Sequence, residues 1–312
     1  MDVQRILLLV ATTLITYMLV LQWNADYGQP AAAPEAPVTS VSAYNSSPAN
    51  AELPAGEVAQ AANDLPIERS AQTSASAKLI EITTDVLKLT VDTKGGDIIQ
   101  LALPEIKAAM GSDQPFVLLE QNTNRTYVAQ SGLVGANGPD AAQEGRPTYA
   151  VSADAFTMGD EDTLAVDLVF VNKDGVKVTK RYSFERGSYN VGLEYIVENT
   201  TASPWRASLF GQIKRDSSED PTTSLDFAMA SYLGAVYSTE ENTYEKVDFD
   251  DMDDKDFSAS SKSGYVGFLQ HYFVSAWIPQ PNVESRFQSR KVNGNYLMGF
   301  TSPEFTVAPN AT

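Results

Sequence analysis

The stretch TLAVDLVFVNKDGVKVTKRYSFE, Thr163 to Glu185, decides the fold. Leu164, Val166, Leu168 and Phe170 alternate with polar or small residues, and Val176, Val178, Lys180, Tyr182 and Phe184 resume the alternation after Asn172-Lys173-Asp174-Gly175. A period of two marks a strand with one face buried, and an Asn/Asp/Gly cluster between two such runs marks a hairpin. Working outward, Tyr189, Val191, Leu193, Tyr195 and Val197 keep the same spacing, and Asn293-Gly294 separates Phe287–Val292 from Tyr296–Phe300 as a tight turn. Toward the N-terminus, Leu87, Leu89 and Val91 lead through Gly95-Gly96 into Ile98–Leu103, followed by strand runs at Pro115–Glu120 and Thr126–Val134. So many sequential strands predict two packed antiparallel sheets over residues 78–312, a length sufficient for one large core.

The sequence before residue 78 has a different character. From Ile6 to Leu21 there is no charge, and Gln22 and Trp23 bring the run to about the 17–20 residues that a helix needs to cross a bilayer. The run ends in bulky Leu21 and Trp23 rather than in small residues that would suit signal cleavage, and Ala31-Ala32-Ala33 lies far downstream with Pro34 directly behind it. Residues 1–23 therefore read as a retained anchor. Arg5 precedes the span and the next basic residue is Arg69, which makes Arg5 the topology determinant: N-terminus cytoplasmic, everything after about residue 23 exported. Residues 24–77 hold 15 Ala and 6 Pro in 54 positions with few large apolar side chains, the composition of a flexible tether.

Net charge and residue inventory exclude several functions. The chain carries −18, and the part after residue 77 has 33 acids against 20 bases, or −13. An acidic surface disfavours nucleic acid, which draws its affinity from Lys and Arg, and is repelled by anionic headgroups. There is no Cys and one His, His271, so thiolate, zinc and most His-based constellations have no residues to draw on, and no phosphate loop is present. No catalytic, cofactor or metal residue is therefore assigned. His271 among aromatics reads as structural, and Gly95-Gly96 as a turn. The acidic run DFDDMDDKD, Asp248–Asp256, fails the EF-hand pattern at Met252, Asp253 and Ala259 and reads as a solvated loop. In GYVGFLQHYFVSAWIP, Gly264–Pro279, the residues Tyr265, Leu269, Phe273 and Trp277 fall four apart. They could form one helical face packed as core, a buried strand in the first half, or an apolar groove that takes an extended polypeptide or a polymer-like ligand.

The segments MDVQRILLLVATTLITYMLVLQW, TKGGDIIQLALP, QPFVLLE, AQSGLVGANGPD, YSFERGSYNV, FGQIK, GAVYST and SGYVGFLQHYFVSAWIP, in this order, resemble the Gram-negative type of the Oxa/Alb/YidC family of membrane protein insertases. The resemblance covers the first span and nearly all of the large periplasmic domain. It implies a galactose-mutarotase-like β-supersandwich for the exported domain. It also implies insertion and folding of inner-membrane proteins with and without the Sec translocon, contacts with SecD and SecF, and nascent segments received by five further spans. On this reading the chain is a non-catalytic amino-terminal part of a multi-pass protein, whose family continues past Thr312. The alternative, from the fold and the aromatics, is an anchored carbohydrate-binding or mutarotase-like domain.

Overall fold

The computed structural model describes Tyr17 and residues 78–219, 232–270 and 272–312. Compactness divides the chain into residues 1–45 and 46–312; the first unit contributes only Tyr17, exposed and helical, to the described residues. The rest of the anchor with Arg5, the tether and His271 lie outside them. No helix among the described residues is long and apolar enough to cross a membrane.

The described residues are mainly β, as the alternation predicts. Strands β1 (Leu79–Thr83), β2 (Lys88–Asp92), β3 (Asp97–Lys107), β4 (Pro115–Gln121) and β5 (Thr126–Val134) run consecutively, and β6 (Ala155–Thr157) joins β1 in parallel. Then come β7 (Thr163–Val171), β8 (Lys177–Glu185), β9 (Val191–Glu198) and β10 (Trp205–Arg215). After them are β11 (Gly234–Ser238), β12 (Glu245–Val247), β13 (Ser258–Ser261), β14 (Tyr265–Gln270), β15 (Phe273–Trp277), β16 (Ser285–Val292), β17 (Asn295–Thr301) and β18 (Phe305–Val307).

Three sheets form where two were expected. The large one runs β13-β16-β17-β10-β5-β4-β3-β2-β1-β6 with β18 on β10, and the others are β12-β11-β14-β15 and β7-β8-β9. The layer facing the large sheet comes in two pieces because the chain leaves and re-enters that sheet, at β10, at β13 and at β16, instead of completing one sheet before starting the next. One core joins all three: Ile80, Leu89 and Leu101 from the large sheet, Val166 and Phe184 from β7 and β8, and Val266 and Phe268 from β14 are buried together.

The quoted hairpin forms in full register from Thr163↔Glu185 to Val171↔Lys177. Its turn is held by the Asn172 carboxamide oxygen, which accepts from the backbone N–H of Asp174 and Val176 at 3.0 and 2.8 Å. Asn293 and Gly294 both take positive φ, 52° and 79°, as a two-residue turn between β16 and β17 demands. The acidic run is not a loop. Phe249–Asp254 is a short helix with Asp248 as its N-cap, accepting from Asp251 N–H at 2.9 Å, because Met252 gains burial on its inner side and Phe249 packs on Tyr296.

Candidate functional site

Two features stand out above the ordinary core: a buried cluster of four charges, and the hairpin that carries the four residues singled out in the sequence. The first was only partly legible. Lys180 sits on the inward stripe of β8 between Val178 and Tyr182, a charge on an apolar face, and its position in the alternation was the signal. Asp97 opens β3, Asp140 lies in the single turn Pro139–Ala141, and Arg146 lies in the loop beyond, where no periodicity points at them.

Arg146 is the hub. Its Nε donates to Asp140 Oδ1 at 2.8 Å, Nη1 donates to Asp97 Oδ2, and Nη2 donates to the carbonyls of Ser131 (2.8 Å) and Gly95 (3.3 Å). Lys180 Nζ reaches the same two carbonyls, Gly95 at 3.0 Å and Ser131 at 3.1 Å, from the facing sheet. Asp140 also accepts the Leu133 backbone N–H at 2.8 Å, and the Tyr182 hydroxyl donates to Gly96 O at 2.6 Å. The Gly95-Gly96 turn therefore does more than reverse the chain. Gly95 takes φ +76°, and a Cβ there would run into the Arg146 guanidinium.

Burial controls the electrostatics. It pushes the Asp140 carboxyl above its ordinary range, against the pull of Arg146 and the Leu133 N–H. It pushes the Lys180 ammonium down to about 7, with Arg146 adding to the depression and Asp97 and Asp140 opposing it. Arg146 is driven the other way, because Asp97 and Asp140 together outweigh its desolvation. The surrounding Tyr149, Tyr182 and Tyr195 hydroxyls are all raised by burial and stay protonated.

From Asp97 a row of side chains crosses the large sheet. Gln130 Nε2 donates to Asp97 Oδ2 (3.0 Å), Gln212 Nε2 to Gln130 Oε1 (3.1 Å), and Arg290 Nη2 to Gln212 Oε1 (3.1 Å). Gly299 of β17 lies against this row, where a Cβ would run into Gln212 Cβ and the Gly211 carbonyl of β10. The row ends at a narrow crevice, too tight to admit a water molecule, lined by Gln212, Gln288, Arg290, Leu297, Gly299 and Phe300.

A lysine titrating near neutrality beside carboxylates is the sort of arrangement that proton-transfer sites use. Here the geometry argues against it. Lys180 and Asp140 are fully buried, and the hydrogen bonds of the cluster run to one another, to backbone groups of the β2–β3 turn and β5, and to the Gln130 side chain. Two acids and two bases balance, and they tie β3, β5, β8 and the 139–146 loop together. The arrangement is an interlock between these elements. Among the described residues no three His, Asp or Glu side chains converge on a possible metal position.

The second feature corrects the helical reading of Gly264–Pro279. The stretch is the β14–β15 hairpin, registered Val266↔Trp277 through Gln270↔Phe273. Alternation divides the four named residues between opposite faces. Phe273 and Trp277 point inward: Phe273 stacks on Phe116 at 4.3 Å, and Trp277 meets Phe300 edge-on at 6.4 Å. Tyr265 and Leu269 are half-buried on the outer face, beside exposed Val274, Ala276 and Ile278. The run is too apolar on both faces for a spacing of four to distinguish helix from strand.

Taken together, the fold and its interlock define a two-layer β module cross-tied by buried charges. The family described as YidC periplasmic domain matches residues 79–312. The chain is 42% identical over 323 residues to the membrane protein insertase YidC of Pseudomonas syringae pv. tomato, covering all of this chain and 57% of that protein. With the same-named protein of Azotobacter vinelandii it shares 41% over 322 residues, covering 100% of this chain and 57% of that one. The chain belongs to the YidC family of membrane protein insertases, and it spans a little over half the length of these relatives. Among solved structures, a galactose mutarotase related enzyme from Lactobacillus acidophilus is 8% identical with a TM-score of 0.42, over 74% of this chain and 93% of that one. A galactose mutarotase-like protein from Lactobacillus casei is 10% identical with a TM-score of 0.41, over 75% and 96%. The carbohydrate alternative is not favoured by the family assignment.

Proposed function

We propose that this chain is the anchoring and docking part of an inner-membrane protein insertase and catalyses no reaction itself. Residues 1–23 hold it in the membrane with Arg5 on the cytoplasmic side, residues 24–77 are the tether, and residues 78–312 work in the periplasm. There they meet accessory proteins of the translocon, SecD and SecF, while nascent segments are received by spans that this chain does not supply. The observation that carries the reading is the identity of over 40% to proteins named as insertases along the whole chain. The buried charge cluster supports the non-catalytic part, since its groups are engaged by each other, by backbone and by Gln130.

Insertion requires a polar route through hydrocarbon, where an unpaired charge or amide costs several kcal/mol. A single span cannot enclose one. Within Ile6–Leu21 only Thr12, Thr13, Thr16 and Tyr17 are polar, and hydroxyls can bond to their own helix. Expressing residues 1–312 in cells depleted of their own insertase should leave a small dependent client uninserted by protease accessibility, while SecD and SecF co-purify with the chain. Restored insertion would place the activity in this chain and overturn the proposal.

A further inference from the structure

Among the exposed large apolar side chains of the described residues, Met110 stands furthest out, at 104% exposure. A turn puts it there. The β3–β4 pairing closes at Lys107↔Pro115, and beyond it the Ala108 N–H donates to Gln114 O at 2.9 Å and the Ser112 N–H to Ala109 O at 3.0 Å. A bond from the fourth residue back to the first, with glycine at positive φ in third place, defines a type II turn. Gly111, at φ +81°, fills that place, so Met110 is the first central residue and its side chain projects from the tip of the hairpin. The Gln114 N–H donating to Ser112 Oγ (3.0 Å) and Lys107 Nζ beside Asp113 Oδ1 (3.5 Å) hold the base of the tip.

The other described methionines are the reverse case. Met158, Met252 and Met298 are 3%, 2% and 0% exposed and belong to the core that joins the three sheets. Oxidation of a side chain follows its exposure, and a buried sulfur reacts only after the core around it opens, which costs free energy approaching that of global unfolding. Met110 needs no opening.

We propose that Met110 is a reversible oxidation site of this domain, its thioether taken to the sulfoxide by hydrogen peroxide and returned by thiol-dependent methionine sulfoxide reductases. A sulfur lone pair attacks one peroxide oxygen, the O–O bond breaks, and the departing hydroxide takes up the proton of the transferred oxygen and leaves as water; sulfur is oxidised and the peroxide reduced. In the return step a pair of reductase thiols is oxidised to a disulfide and the sulfoxide oxygen leaves as water. The change turns the apolar end of the hairpin into a polar, hydrogen-bond-accepting one. It leaves the fold alone, because the Met110 side chain stands clear of the core. This inference goes beyond the insertase reading and does not need it, since the reaction requires only this side chain and a peroxide.

The test exposes residues 1–312 in nanodiscs to hydrogen peroxide and follows each methionine-containing peptide by mass spectrometry. Met110 should form sulfoxide at least about tenfold faster than Met158, Met252 and Met298, and in urea all four should react at a common rate. Once Met110 is converted and the three buried methionines are not, the thermal midpoint should be unchanged, and the two epimer-specific reductases with dithiothreitol should return Met110 to the thioether. A Met110 rate no faster than that of the buried methionines, or a Met110 sulfoxide that the reductases leave in place, would overturn the proposal. So would a fall in the thermal midpoint on oxidation that Met110→Leu abolishes, which would make Met110 a structural residue.

Discussion

At the scale of single residues, the interlock turns on how Lys180 is held. Its ammonium is buried between the Gly95 and Ser131 carbonyls and titrates near 7, well below an unfolded lysine at about 10.4. Between those two values the unfolded chain binds the extra proton, so this group makes stability rise as pH rises from about 7 toward 10. Lys180→Met removes the contribution, and both carbonyls keep Arg146 as a donor. Urea midpoints measured from pH 7 to 9.5 should climb more steeply for the wild type than for Lys180→Met; parallel curves would mean that Lys180 keeps its ordinary affinity for a proton. Asp140 acts with the opposite sign. Its folded carboxyl is raised, so its share of stability declines as pH rises through the acid range above its unfolded value.

At the scale of elements, the β14–β15 hairpin presents two faces of different consequence. Phe273 is stacked on Phe116 inside the sandwich, whereas Val274, one residue on, stands in solvent. Phe273→Ala should cost about 2–4 kcal/mol of unfolding free energy, and Val274→Ala no more than about 0.5 kcal/mol, both by urea titration. Comparable losses at the two positions would show that the faces are assigned wrongly. The hairpin also marks what the sequence could reveal. Runs with a polar side, such as Leu164–Phe170 and Val176–Phe184, announce their strands because alternation is visible only when one face stays polar. Gly264–Pro279 is apolar on both faces, so its period is hidden and a helix spacing appears by coincidence. Lys180 stood in plain view on an apolar stripe, yet its partners Asp97, Asp140 and Arg146 reach it through turns and a loop, and no local pattern records such contacts. The division of the facing layer into two sheets was hidden for the same reason, since it depends on long-range pairing of β10, β13 and β16 with the large sheet.

At the scale of the whole molecule, orientation and interlock are the two properties that the account requires. If Arg5 sets topology, a reporter fused after Thr312 should be active in the periplasm. Arg5→Glu combined with lysines inserted after Trp23 should weaken or invert that activity; unchanged activity would assign orientation to the exported domain itself. The central claim, that the buried charges exist to hold the fold, is tested most directly by a stability cycle on Arg146 and Asp140. Arg146→Met strands Asp97 and Asp140 against Lys180 alone and should cost about 3–5 kcal/mol, the penalty for an uncompensated buried charge. Arg146→Met with Asp140→Asn leaves Asp97 and Lys180 in balance, and its urea midpoint should recover a large part of that loss. A wild-type midpoint for Arg146→Met alone would contradict the claim and mean that these four charges are kept for chemistry.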